Sequence, residues 1–176
     1  NTMELEGDES FGSAGLGRWC ACMLDSFATM NLSVAAYGIR YQYGNHKQVI
    51  EDGRLYEVAD SSPNDHFLWE IERADISYRI NFGGTVEHLA DGPQGPSLWK
   101  PNMAVCAKAY DIPIPGYGTI NTTYLRQWKS IIANDVYPET CIGKDYYESV
   151  RERTEAFYLT WMLYPNPNTK QGQELK

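Results

Sequence analysis

Leu16, Trp19, Cys20, Met23, Leu24, Phe27 and Met30 recur every three or four positions, the interval that brings side chains onto one face of a helix. The pattern predicts a helix that opens at a glycine run and stops at Asn31. Val34 to Tyr43 follows, rich in aromatic and branched residues, and reads as a strand. Glycine run, helix and strand in succession point to an α/β fold. Further along, Ile76, Tyr78, Ile80 and Phe82 alternate with Ser77, Arg79 and Asn81, the two-residue period of a half-exposed strand. Gly83-Gly84 suits a tight hairpin returning through Thr85 to Leu89, and Asp91-Gly92 offers the next turn. Met103 to Tyr110 reads as another strand, which Pro113, Pro115 and Gly116 are expected to stop. Near the end, Tyr147, Val150, Thr154, Phe157, Tyr158 and Trp161 return to helical spacing, with Glu148, Arg151, Glu152 and Arg153 on the opposite side. Pro165 and Pro167 end that helix by Tyr164. No repeat or linker divides the chain, so a single domain over residues 1–176 is expected, and the carboxyl end lacks a closing element, as in a truncated chain.

Composition narrows the function. With 43% apolar and 22% charged residues, the 176-residue chain has enough apolar matter for one core, which excludes a disordered chain. A formal net charge of −8 argues against a nucleic-acid partner, whose phosphates call for Lys and Arg. Glu4, Glu6, Asp8 and Glu9 favour a helix start or form solvated surface, the second being the ordinary role of such a cluster. No apolar run is long enough to span a membrane and the acidic start is unlike a signal peptide, so a cytoplasmic protein with no membrane partner is expected. Cys20, Cys22, Cys106 and Cys141 form neither a disulfide frame nor a zinc pattern and are expected as buried free thiols. His46, His66 and His88 make no metal trio. Asn121-Thr122-Thr123 matches the glycosylation acceptor pattern, which has no bearing unless the chain is secreted.

Gly12-Ser13-Ala14-Gly15-Leu16-Gly17-Arg18 leads into the first helix, where a turn of small residues lets a ligand approach the free N–H groups at the helix's positive end. An anion is the natural guest. Taken alone the run is equally a glycine-rich helix start without a ligand, since it matches neither the dinucleotide fingerprint nor a P-loop.

The wider sequence adds a resemblance. Gly12 to Arg18 resembles the glycine loop of α-glucan (glycogen or starch) phosphorylases, Gly-Asn-Gly-Gly-Leu-Gly-Arg in the family form. In order along the chain, Ala21 to Ser26, Tyr37 to Tyr41, Gln48, Trp69-Glu70, Val86-Glu87-His88, Ala109 to Tyr117, Leu125 to Trp128 and Leu163 to Asn166 are similar to the same family. The resemblance implies a fragment of the amino-terminal half: an incomplete lobe of a two-lobed GT-B type glycosyltransferase, with a mixed sheet, long helices and the carboxyl-terminal cofactor lobe absent.

It further implies transfer of a glucosyl unit from the non-reducing end of an α-1,4-glucan to phosphate, giving glucose 1-phosphate. The cofactor is pyridoxal phosphate, held mainly by the missing lobe, and the isolated chain is expected to be inactive. By the same carry-over, Gly12, Ser13, Ala14, Gly15 and Leu16 would bind phosphate and sugar through their backbone, Gly15 would approach the cofactor indirectly, and Asn168 would lie on a gate loop. No catalytic residue and no Schiff-base lysine is assignable here. Partners so implied are the glucan, phosphate, the remainder of the phosphorylase chain and, at full length, a second copy. Arg73 matches a family interface arginine and reads equally as a solvated surface residue. Ser13 and Ala14 replace Asn and Gly of the family loop and Pro167 replaces an Asp of the gate, and a Cβ at position 14 is expected to obstruct a conformation only glycine adopts freely. These departures motivate a second reading, a non-catalytic glucan-binding or regulatory relative.

Overall fold

The computed structural model describes residues 11–12, 14–60, 69–88, 96–132, 145–163 and 170. Ser13, Leu89, Asp91-Gly92, Cys141, the segment from Tyr164 to Asn168 and the acidic cluster at Glu4 to Glu9 lie outside them. Helix α1 spans Ala14–Thr29 and is followed by strand β1, Ala35–Ile39. Asn31 takes a left-handed conformation (φ 60°), the usual way to leave a helix, so the predicted stop holds. The buried line of α1 is Gly17, Leu24 and Ala28, with Cys20 half-buried beside it. Leu16 and Trp19, at 76% and 63% exposure, belong to the outer half of the predicted apolar stripe. Leu24 packs against Ile112 and Leu125, with Phe11, Cys20, Val34, Ala36 and Ile114 around them.

Those partners come from a four-stranded mixed sheet of order β1-β8-β7-β4, where β4 is Ile71–Phe82, β7 is Met103–Pro115 and β8 is Thr122–Ile132. β1 runs parallel to β8, with Ala35 opposite Tyr124 and Ile39 opposite Trp128. The connection 116–121 is too short for a crossover, so β7 and β8 are antiparallel. Asn102 meets Phe82 while Asp111 meets Arg73, so β4 and β7 are antiparallel as well. β7 continues to Pro115, past the expected stop. The proline ring fixes a φ that extended chain also uses, and a strand's end tolerates a missing donor.

The loop 116–121 closes the end of α1. Asn121 Nδ2 donates to the carbonyls of Ala28 (3.3 Å) and Leu32 (3.0 Å), and Thr119 Oγ1 to that of Ala28 (3.3 Å). Thr123 Oγ1 on β8 donates to the Leu24 carbonyl at 3.2 Å. Of these acceptors, the Ala28 carbonyl lies in the helix's last turn, where it also accepts from the Asn31 N–H at 3.1 Å. The Asn121 amide of the acceptor pattern is committed to this cap.

Two hairpins stand apart from that sheet. β2 (Asn45–Glu51) and β3 (Arg54–Asp60) pair antiparallel around Asp52-Gly53, whose φ values of 49° and 73° are those of a two-residue type I′ turn. β5 (Thr85–His88) pairs with β6 (Ser97–Lys100), not back onto β4 as the Gly83-Gly84 hairpin predicts. Gly83 and Gly84 do take positive φ (59° and 87°), but they turn the chain out of the sheet. The reason is close approach: a Cβ on Gly84 would lie 1.9 Å from the Lys100 carbonyl oxygen, and Trp99 Nε1 donates to the Gly83 carbonyl at 2.7 Å. His88 Nδ1 and Ser97 Oγ share a hydrogen bond of 2.9 Å across this hairpin.

Helix α2, Tyr146–Tyr158, ends six residues before the predicted Tyr164. The chain then pairs with the segment after β1: Gln42 donates to Thr160, Tyr43 to Trp161, and Leu163 to Tyr43. Ala156 is buried and Ser149 and Glu152 are half-buried, whereas Tyr147, Phe157 and Tyr158 of the predicted apolar face are exposed. Cys106 is buried, Cys20 half-buried and Cys22 exposed, all as free thiols, so the expectation of burial fails at Cys22. Among the described residues no helix is long and apolar enough to cross a membrane, and no group of three His, Cys, Asp or Glu side chains is arranged to hold a metal.

Two compact units divide the chain: Asn1–Arg73, Ala109–Lys129 and Thr160–Lys176 form one, Ala74–Lys108 and Ser130–Leu159 the other. Each draws on separate stretches of sequence, so no linker marks the split.

Gly84→Ala is expected to lower stability by about 3 kcal/mol, the sum of left-handed strain and a steric clash. Gly53→Ala, where a Cβ meets nothing within 4 Å, is expected to cost only about 1 kcal/mol. Urea unfolding of the two variants checks the difference, and equal losses would refute the close-approach account of Gly84.

Candidate functional site

The sequence places its chemistry at the mouth of α1. Gly12 has φ 142° and stacks its backbone against Gly17, where a Cβ would lie 2.1 Å from the Gly12 carbonyl oxygen. Only a side chain of hydrogen fits at Gly17, so the turn folds back onto the helix it precedes. Ala14 is the first residue of the helix and has helical backbone, which any L-residue adopts. A Cβ on Gly15 would meet nothing within 4 Å, and Leu16 and Arg18 are exposed. A helix leaves the backbone amides of its first turn without intrahelical partners. Ser13 and Asn168 lie outside the described residues, so this geometry comprises Gly12, Ala14, Gly15 and Leu16.

A second constellation lies within the first unit, and of it only Arg73 was singled out in the sequence, through the family resemblance. Asp111 on β7 accepts two hydrogen bonds from Arg126 on β8, both 2.7 Å, and one from Arg73 Nη1 on β4 at 3.1 Å. Asp111 is buried, and the Arg126 hydrogen bonds, followed by its charge and by Arg73, hold the carboxyl below the usual range against the opposing effect of burial. The same hydrogen bond to Asp111 raises the Arg126 guanidinium. Arg126 also lies over the Tyr124 ring at 5.1 Å.

Alongside, Arg40 just past β1 makes a bidentate pair with Glu70 just before β4, Nε to Oε1 and Nη2 to Oε2 at 2.8 Å each. Both side chains are buried, at 5% and 8% exposure. Arg40 lies 4.5 Å from the centre of the Tyr110 ring, whose hydroxyl donates to Glu72 at 3.1 Å. Burial, then the Glu72 charge and hydrogen bond, push the Tyr110 phenol up to about 12. Arg40, Glu70, Tyr110, Asp111 and Arg126 each stand inside a segment quoted above for its resemblance. That clustering of matched segments was the available signal. Arg73, at 36% exposure, binds Asp111 within its own chain.

Comparison with known proteins identifies the family. The family described as carbohydrate phosphorylase matches residues 1–176, and the chain belongs to that family. It is 40% identical over 173 residues to glycogen phosphorylase 2 of Dictyostelium discoideum, covering 97% of this chain and 17% of that protein. It is 39% identical over 175 residues both to the brain form of glycogen phosphorylase from Mus musculus and to the liver form from Homo sapiens, covering 98% of this chain and 20% of each. The chain thus spans about a fifth or less of the length of these relatives.

Asp111→Asn removes the charge that two arginines surround and is expected to cost about 3 kcal/mol. Because the folded-state pKa of Asp111 is depressed, its contribution is fully present above the ordinary Asp value of about 4 and is lost as pH falls through the lower folded value. Urea midpoints measured from about pH 6 down to pH 2 are expected to fall less steeply below about pH 4 in Asp111→Asn than in the parent, and identical slopes would refute the assignment.

Proposed function

We propose that this chain supplies the glycine loop and part of the amino-terminal GT-B lobe of an α-glucan phosphorylase, which transfers a glucosyl unit from the non-reducing end of an α-1,4-glucan to phosphate. The family match along the whole chain carries the reading. The role of α1 is to offer backbone amides of Ala14, Gly15 and Leu16 to an anionic oxygen of the substrate phosphate, with Leu16 also beside the sugar. An N-terminal helix turn suits this because its donors are fixed before the reaction and need no reorganisation as charge develops. The opening at Gly15, where even a Cβ would meet nothing within 4 Å, leaves room for such an anion.

Pyridoxal phosphate fits the same opening as a neighbour: bound by other segments of a complete phosphorylase, it would supply a phosphate group beside the substrate phosphate. This chain offers it only the indirect approach of Gly15. Asn168, on the gate segment, touches the sugar in this reading. Isolated, the chain is inactive, because the cofactor lysine and the basic phosphate ligands of the family belong to other segments. A cytoplasmic location and a homodimer at full length complete the proposal, with Arg73 near the subunit contact.

The test is a chimera in which this chain replaces the matching segment of Dictyostelium glycogen phosphorylase 2. It is expected to form glucose 1-phosphate from glycogen and phosphate. Ala14→Pro in the chimera deletes one amide at the helix position proline tolerates best, and is expected to lower kcat/KM by about a hundredfold with the fold retained. A folded, cofactor-loaded chimera that binds maltoheptaose without phosphorolysis would favour the glucan-binding reading, and full activity of Ala14→Pro would remove the loop amide from the mechanism.

A further inference from the structure

The amides assigned above to the substrate phosphate stand at the head of α1, so their aim depends on how the chain enters that helix. Gly12, the last described residue before it, has φ 142° and no side chain of its own to secure that conformation. Glycine has more backbone freedom to lose than any other residue, and an unsecured Gly12 would sample many paths into the helix. Two contacts remove that freedom, one on each side of it.

The first is backbone on backbone. Gly17 is buried while Gly15, Leu16, Arg18 and Trp19 around it are exposed, and a Cβ at Gly17 would overlap the carbonyl of Gly12. With the helix starting at Ala14, these are the two positions at which an apolar side chain before a helix commonly staples one in its first turn. Here two bare backbones meet instead. The second contact is apolar: Phe11 is half-buried and packs against the cluster of Leu24, Ile112 and Leu125. Gly17 and Leu24 lie roughly two turns apart on one face of α1, so both contacts bear on its buried side. Gly12 is thereby held between a ring seated in the core and the backbone of the helix it leads into.

We propose that Phe11 and Gly17 are positioning residues for the phosphate, an inference that rests on the function proposed above. They act through Gly12, and together they fix where the amides of Ala14, Gly15 and Leu16 point. A Cβ at Gly17 must part the two backbones by about 1 Å to reach ordinary contact. Misplacement on that scale costs about a hundredfold where reacting groups are held in place beforehand. Truncating Phe11 frees the entering chain, yet the far end of α1 stays fastened by Thr119 and Asn121, which confines the disturbance to the helix mouth.

The test uses the chimera described above. Phe11→Ala is expected to weaken binding of inorganic phosphate, measured by calorimetry without glucan, and to raise the phosphate KM by about tenfold. Gly17→Ala is expected to lower kcat/KM for phosphate by about a hundredfold. Cofactor content and the KM for glycogen are expected to change little in both, because a polymeric glucan makes contacts well beyond one sugar. Phe11→Leu refills the apolar site and is expected to restore most of the loss. Should Gly17→Ala not fold, the two Phe11 variants carry the test alone. A variant that is merely less stable lowers the folded fraction, and with it the rate, while both KM values stay in place. Unmoved phosphate affinity in Phe11→Ala, equal losses toward phosphate and glycogen, or a Phe11→Leu no better than Phe11→Ala would each overturn the proposal and leave the reading beneath it standing. An inactive parent chimera or a fully active Ala14→Pro strikes that reading itself, and the proposal falls with it.

Discussion

A carboxylate between two guanidinium groups ties three neighbouring strands of the central sheet together. Asp111 sits on β7 and receives Arg126 from β8 on one side and Arg73 from β4 on the other. Hydrogen bonds along the strands fix their spacing, but sliding one strand past another by two residues would keep the faces matched. Such a slip separates Asp111 from one of its arginines and leaves a buried carboxylate with only one of its two guanidinium partners, which disfavours the slipped register. The ion triad therefore sets register across β4, β7 and β8. Arg40 and Glu70 act similarly at the ends of β1 and β4, as a fully bidentate pair shielded from water.

That register reaches the mouth of α1 through packing. Leu24 is seated on Ile112, the residue after Asp111, and on Leu125, the residue before Arg126. The last turn of the helix is closed by Asn121 and Thr119, and its first by the stacking of Gly12 on Gly17. The helix is thus held at both ends and in the middle. In the function proposed above, donors fixed in this way would meet an oxyanion without reorganising, and the contacts that fix them lie far from the turn itself.

Much of this was legible in the residues. Asn31 as the end of α1 and the alternation of β4 depend on local backbone preference and on one exposed face, and both appear where the pattern puts them. The hairpin at Asp52-Gly53 was missed, although Asp-Gly between strand-forming runs is a strong local signal. The end of α2 was not legible either. Its helical spacing continues to Trp161, but Thr160, Trp161 and Leu163 gain backbone partners around Tyr43, and a pairing across more than a hundred residues outweighs local propensity. The route of β5 was hidden for a similar reason, because two glycines announce a turn without saying which strand receives the chain. As for the candidate site, the glycine loop was visible as a run of small residues. The triad at Asp111 was visible only as scattered members of matched segments, whose meeting needs three strands to be placed.

Asn121 gives one of these contacts a chemical lifetime. Its side-chain nitrogen donates to two helix carbonyls, so the cap depends on that group remaining an amide. Hydrolytic ageing to a carboxylate would turn the donor into an acceptor facing two other acceptors and would loosen the junction between α1 and the β7–β8 connection. The residue that follows is Thr122, whose branched side chain hinders the backbone attack by which such hydrolysis begins, and the engaged amide is itself held away from that attack. The local sequence thus protects the side chain on which the helix end relies.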